Sequence, residues 1–238
     1  MTWLETLNGT SASWYRCIGS AAHTTLDVAA RDLRDDGAAI VSAVALLPSV
    51  GSLTALDMSG NVLSDDRGTT LAPALAKLSV TLRELYLGFN SFGGIGGAGA
   101  LAGVLGGLSA LEVLDLQSNL LQGGGATAVA GGVLGLPALR ELYLQFNMIG
   151  SGSGVAAALV ATLSTLSRLE VLDLDGNELG EEACQAILGC IGGLTSLRLL
   201  DLQRNGVSRT EEEAMLRQMS HLAGLELMIS GSGGLLEV

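Results

Sequence analysis

Leucine recurs along this chain in a fixed frame, L-x-x-L-x-L-x-x-N. Six segments share it: LTALDMSGN ending at Asn61, LRELYLGFN at Asn90, LEVLDLQSN at Asn119, LRELYLQFN at Asn147, LEVLDLDGN at Asn177 and LRLLDLQRN at Asn205. The asparagines stand 29, 29, 28, 30 and 28 residues apart. A weaker copy, TTLDVAAR, precedes them, ends at Arg31 and lacks the asparagine. Self-similarity at a period near 30 residues marks a repeat architecture in which each repeat is one supersecondary unit.

Within the frame the spaced leucines alternate with other residues. A period of two predicts a short strand with the leucines on one face and the intervening residues on the other. After each asparagine the period changes. TLAPALAKL (70–78), ATAVAGGVLGL (126–136), GVAAALVATLSTL (154–166) and EEACQAILGCIGGL (181–194) place apolar residues three or four apart, which predicts a helix with one buried stripe. One strand and one helix cannot bury an apolar face alone, so successive coils must stack. Stacking lines the strands into a parallel sheet on the concave side and leaves the helices on the convex side.

The frame resembles the strand signature of leucine-rich repeats. Repeats of 28–30 residues with a helical second half resemble the ribonuclease-inhibitor-like class of that family. LRELYL (82–87, 139–144) alternates with LEVLDL (111–116, 169–174), giving a two-coil period of about 57 residues, and that class is similar in alternating two repeat types. The resemblance implies an α/β fold, a right-handed horseshoe solenoid with parallel strands inside and helices outside. It divides the chain into an N-terminal cap (1–24), seven repeats (25–224, the first degenerate) and a capping strand with tail (225–238). Trp3, Leu7, Trp14 and Ile18 fall in i, i+4 pairs that could cover the first coil, and LELMIS (225–230) reads as an eighth strand. The function it implies is a non-catalytic protein-binding module, a scaffold or subunit of a larger assembly. The alternative within the same class is a regulator of an enzyme, such as a GTPase-activating or inhibitor protein.

Composition narrows the partner. Lys and Arg number 12 against 24 Asp and Glu, a net charge of −12, and Lys77 is the one lysine. Phosphate backbones and anionic membranes attract basic surfaces, so the expected partner is a basic protein, with neither nucleic acid nor membrane. No stretch reads as a secretory signal or a membrane span. The odd cysteine count (Cys17, Cys184, Cys190) fits no metal or disulfide spacing and points to free thiols in a reducing, cytoplasmic setting.

No catalytic set assembles. His23 and His221 lie at opposite ends of the repeat array. Gly94 to Gly99 matches GxGxxG, yet glycines recur at Gly123–Gly125 and at Gly150 and Gly152, so they read as the strand-to-helix turn and as close helix packing rather than a nucleotide cradle. Asp173, Asp175 and Asp201 share adjacent strands without a ligand-folding loop, and no metal is expected there. No cofactor is expected either. At the last helix, Thr210 reads as the N-cap and Glu213 as its capping-box partner.

Two sets of residues remain. The asparagines Asn61, Asn90, Asn119, Asn147, Asn177 and Asn205 turn inward, and their amides should bond loop backbone of their own and the next coil, forming a ladder. On the outward face, one column reads Asp27, Asp57, Tyr86, Asp115, Tyr143, Asp173, Asp201. The column beside it contains Glu84 and Glu141, and the rim carries Phe89, Phe146 and Arg204, with Asp175 next to it. Two of three Tyr and two of three Phe fall on this surface. The tyrosines separate the aspartates along the column and leave Asp173 and Asp201 adjacent. Exposed aromatics flanked by charge suit a partner-binding surface, and these residues are its expected contacts.

Overall fold

The structure is a computed structural model that describes residues 25–27, 29, 30, 32, 53–220, 222 and 224–229. The tryptophan-bearing cap, Cys17, both histidines and the chain ends fall outside the described residues.

Eight three-residue strands pair in parallel, in chain order, as one open sheet. They are β1 (Thr25–Asp27), β2 (Ala55–Asp57), β3 (Glu84–Tyr86), β4 (Val113–Asp115), β5 (Glu141–Tyr143), β6 (Val171–Asp173), β7 (Leu199–Asp201) and β8 (Glu226–Met228). Among the described residues six α-helices alternate with them: α1 (Asp65–Ala76), α2 (Gly94–Leu105), α3 (Gln122–Val133), α4 (Ser153–Leu163), α5 (Gly180–Cys190) and α6 (Arg209–Met219). The chain is thus an α/β solenoid. Strands spaced about 4.8 Å apart face helices about 10 Å across, so the sheet takes the inner side.

The period-two reading holds strand by strand. Leu56, Leu85, Leu114, Leu172 and Leu200 are fully buried at strand centres and pair in register from coil to coil. Leu75, Leu105, Val133, Leu163 and Ile187 close the same core from the helix side.

The six asparagines are buried in a continuous ladder. Asn147 Nδ2 donates to Leu144 O of its own coil at 2.9 Å and to Leu116 O of the coil before at 2.8 Å, and its Oδ1 accepts the Asn119 N–H at 2.9 Å. Asn90, Asn177 and Asn205 repeat this pattern. The amides therefore bridge to the preceding coil, where the sequence suggested the next. Backbone N–H groups of each turn already point forward, as in Met58 N to Tyr86 O at 2.9 Å and Leu87 N to Asp115 O at 2.8 Å. The groups left for an inward amide belong to the coil behind it.

Three expectations need correction. Gly94–Gly99 and Gly123–Gly125 lie within α2 and α3, so they are helical rather than turn residues; only Gly150 and Gly152 stay in the turn. Close helix packing explains Gly132, where a Cβ would meet Ala102 Cα at 2.7 Å, but not Gly99 or Gly103, where it would meet nothing within 4 Å. The cap of α6 is Ser208, and Glu211 reaches back to accept its backbone N–H at 2.9 Å; Thr210 and Glu213 sit two residues too late for these roles. The 181–194 segment ends its α-helix at Cys190 and continues as a 3-10 turn, Ile191–Gly193.

Candidate functional site

The strands are so short that each offers two outward residues, and register stacks them into columns. The first runs Thr25, Ala55, Glu84, Val113, Glu141, Val171, Leu199 and Glu226; the second runs Asp27, Asp57, Tyr86, Asp115, Tyr143, Asp173, Asp201 and Met228. Every strand therefore carries one carboxylate on this face: Asp27, Asp57, Glu84, Asp115, Glu141, Asp173, Asp201 and Glu226. Asp27 and Asp57 are direct register partners, like Asp173 and Asp201, so the column holds two adjacent acidic pairs rather than one.

The aspartates have a local role that the sequence reading missed. Each Oδ1 accepts the backbone N–H two residues on: Asp57 from Ser59 at 2.9 Å, Asp115 from Gln117 at 2.9 Å, Asp173 from Asp175 at 3.0 Å and Asp201 from Gln203 at 2.9 Å. These bonds close the turn that leaves the strand. They also draw the carboxylates down onto the sheet face, where Asp115 and Asp201 are largely buried. Burial, followed by the charges of Asp201 and Asp175, pushes Asp173 up to about 6. Asp115 and Asp201 are raised for the same first reason.

The tyrosine coils are built differently. Tyr86 OH donates to Glu84 at 3.2 Å and Tyr143 OH to Glu141 at 2.9 Å, each within one strand. Burial and the Glu84 carboxylate push the Tyr86 phenol up to about 12, and burial with Glu141 raises Tyr143 in the same way. The two-coil period also has a cross-coil cause. Arg83 pairs with Glu112 and Arg140 with Glu170, so each LRELYL coil supplies an arginine to the glutamate of the LEVLDL coil after it.

The rim is conformationally unusual. Phe89, Ser118, Phe146, Gly176 and Arg204 all hold a positive φ between 51° and 63°. The N–H groups of Phe89, Ser118, Phe146 and Gly176 continue the coil-to-coil ladder, as in Phe89 N to Gln117 O at 2.8 Å, and this fixes the left-handed turn. For a side chain with a Cβ that conformation costs about 1–2 kcal/mol. The Phe146 ring crosses Gly176 and meets the Arg204 guanidinium 5.1 Å from its centroid. Arg204 also pairs with Asp175, its Nε lying 2.8 Å from Oδ1. Asp175 is consequently buried beneath Arg204 and is not the open contact its sequence position suggested.

Structure brings Asp57, Glu84, Tyr86, Glu141, Tyr143 and Asp173 together as a half-buried strip, with Phe89 and Phe146 exposed at its edge. It adds Val62, Leu120 and Met148, each exposed and left-handed, directly after a ladder asparagine. Their signal was present in the sequence: Asn-Val, Asn-Leu and Asn-Met stand where glycine or a polar residue suits the turn.

A family profile described as leucine-rich repeat matches residues 52–71 and 166–188, the stretches around β2–α1 and β6–α5. Among solved structures, a protein from Bacteroides fragilis superposes with a TM-score of 0.53 over 98% of this chain and 73% of its own, at 14% identity. That likeness speaks for the fold alone. An internalin from Listeria monocytogenes aligns over 89% of this chain and 87% of its own at 15% identity, but its TM-score of 0.25 is too low to bear on fold or function. No curated protein matches the chain. No described helix is long and apolar enough to cross a membrane.

Proposed function

The chain is a leucine-rich-repeat protein, and on that footing we propose that it is a non-catalytic binding module whose sheet face receives a basic protein partner. Repeats of this fold generally serve as protein–protein interaction modules. The observation that carries the finer reading is the carboxylate on every one of eight in-register strands. Like charges stacked at strand spacing work against the fold at a cost, and Asp173, raised first by burial, is raised further by the Asp201 and Asp175 charges as part of that cost. A cationic partner removes it. Complementary charge of this kind sets partner choice and association rate.

The same reading takes the protein as a subunit of a larger assembly, of the ribonuclease-inhibitor-like class, in a reducing intracellular setting. The two-coil alternation of arginine and glutamate supports the class, and the free thiols of Cys184 and Cys190 support the setting.

The test is capture of the tagged protein from its native cell beside a variant carrying Asp57→Asn, Asp115→Asn, Asp173→Asn and Asp201→Asn. Asparagine keeps the side-chain oxygen that closes each turn and removes only the charge. Circular dichroism establishes that the variant is folded. Partners with basic surfaces that leave the wild type as salt rises, and that never join the variant, are the expected result. The same partners on both proteins at the same salt would refute the proposal.

A further inference from the structure

Five large apolar side chains stand exposed on one rim of the sheet: Val62 (58%), Phe89 (57%), Leu120 (49%), Phe146 (44%) and Met148 (52%). They come from four consecutive coils. Phe89 and Phe146 directly precede a ladder asparagine, and Val62, Leu120 and Met148 directly follow one. All five hold φ between 54° and 57°. That region suits glycine and asparagine, and a bulky or β-branched residue there is an outlier. The fold does not ask for apolar residues at these places. Equivalent left-handed positions elsewhere carry Gly60, Ser118, Gly176 and Arg204 before the asparagine, and Glu178 and Gly206 after it. Strained side chains that serve no core point outward to function.

What they receive is indicated by a contact within the chain. The Phe146 ring already carries a guanidinium, that of Arg204, which the Asp175 carboxylate holds in place. Phe89 repeats Phe146 one two-coil period earlier. It has the same φ to within a degree and the same backbone bond, to Gln117 O at 2.8 Å against Asp175 O at 2.9 Å. Two coils beyond Phe146 stands Arg204; two coils beyond Phe89 stands Phe146. The chain thus fills one copy of the arginine seat and repeats the ring of the other, with Gln117 and Ser118 where Asp175 and Gly176 stand and, among the described residues, with no arginine of its own on the ring. Guanidinium groups stack on aromatic faces and take carboxylates better than ammonium groups do.

We propose that the rim of Val62, Phe89, Leu120 and Met148 docks a protein segment that lays an arginine on Phe89 and apolar side chains on the other three. This deepens the reading that a basic partner binds the sheet side, and rests on it for the partner's charge. Four coils at strand spacing cover about 15 Å, the length of about five extended residues. The segment therefore crosses the strands, with its arginine between apolar neighbours.

The experiment uses the full chain and labelled peptides of about eight residues, read by fluorescence anisotropy. One peptide alternates Arg with Leu, a second Lys with Leu, a third Glu with Leu. A rim variant carries Phe89→Asn, Leu120→Asn and Met148→Asn, and asparagine suits the left-handed turn, so its melting temperature should equal or exceed that of the wild type. The column variant is the four-aspartate one described above. The Arg-Leu peptide should bind about tenfold tighter than Lys-Leu, Glu-Leu should not bind, and the folded rim variant should lose about tenfold or more in affinity for Arg-Leu. Unchanged Arg-Leu binding by the rim variant overturns the proposal, as does equal binding of the Arg and Lys peptides or no binding of Arg-Leu at all. If the column variant loses the peptide and the rim variant keeps it, the rim is refuted and the acidic face stands. If the rim variant loses it and the column variant keeps it, the rim stands and the acidic face falls.

Discussion

Asn177 Oδ1 accepts the Asn147 backbone N–H at 2.9 Å, while Asn177 Nδ2 returns a bond to Leu144 O of the same earlier coil at 2.8 Å. One amide thus ties two coils through both its ends, and Asn147 does the same one coil back. Asn147→Ala leaves the Asn119 N–H unmet in a dry interior and removes one of two amide donors from Leu116 O and from Leu144 O, which keep Asn119 Nδ2 and Asn177 Nδ2. Unmet buried groups cost about 1–3 kcal/mol each. We expect a net loss of about 3 kcal/mol, or a melting temperature about 6–12 °C lower in calorimetry. A loss below about 1 kcal/mol would mean that the loop re-pairs without the amide.

The two kinds of glycine in the helices should respond oppositely to alanine. Gly103 faces open space within α2, so Gly103→Ala should stabilise by about 1 kcal/mol through helix propensity. Gly132 in α3 lies against the backbone of α2, and the added methyl would sit 2.6 Å from Ala102 O. Gly132→Ala should cost about 1–3 kcal/mol. Denaturant midpoints of the two variants check both signs.

Proton linkage gives a third expectation. The folded Asp173 carboxyl sits near 6, above its ordinary 3.8, so between these values the folded state binds more protons than the unfolded one. Stability from this group is full below pH 4 and is lost as pH rises through 6. Asp115 and Asp201 are raised too and act in the same direction. Asp173→Asn should therefore raise the melting temperature at pH 7.5 and flatten its fall between pH 4 and 7. An unaltered pH profile would remove Asp173 as a source of strain.

Gly176 makes the seat of the arginine stack. Its φ is +63°, and a Cβ there would lie 2.6 Å from Phe146 Cδ1 and Cε1. Gly176→Ala should displace the ring and break the Arg204 contact, at a cost of about 1–3 kcal/mol. Arg204→Ala should then cost less in the Gly176→Ala background than in the wild type, the remainder being its pair with Asp175. Additive losses in this cycle would show that Arg204 is held by Asp175 alone.

Much of this was readable without a structure because a repeat tests each inference several times. Leu56, Leu85, Leu114, Leu142, Leu172 and Leu200 occupy one position of one frame, and a single buried answer serves all six. The asparagines followed from the same logic, although the direction of their bonds did not. That direction depends on which coil has spent its N–H groups on the forward ladder, a property of two stacked coils rather than one. The aspartates misled for a related reason. Alternation assigns Asp115 to the outer face, and nothing in alternation says that its carboxylate bends back to Gln117 N.

By itself, then, the sequence determined the coil: its length, its strand and helix, its inward leucines and asparagines, and the acidic sign of its outer face. Those properties follow from periodicity and charge, which are local or additive. Tertiary structure alone decided which outer side chains remain free. It buried Asp175 under Arg204, set Phe146 across Gly176, and left Val62, Phe89, Leu120 and Met148 in the open on left-handed turns. Exposure and backbone strain are set by the neighbouring coils about 4.8 Å away on either side, and no window along one chain segment contains them.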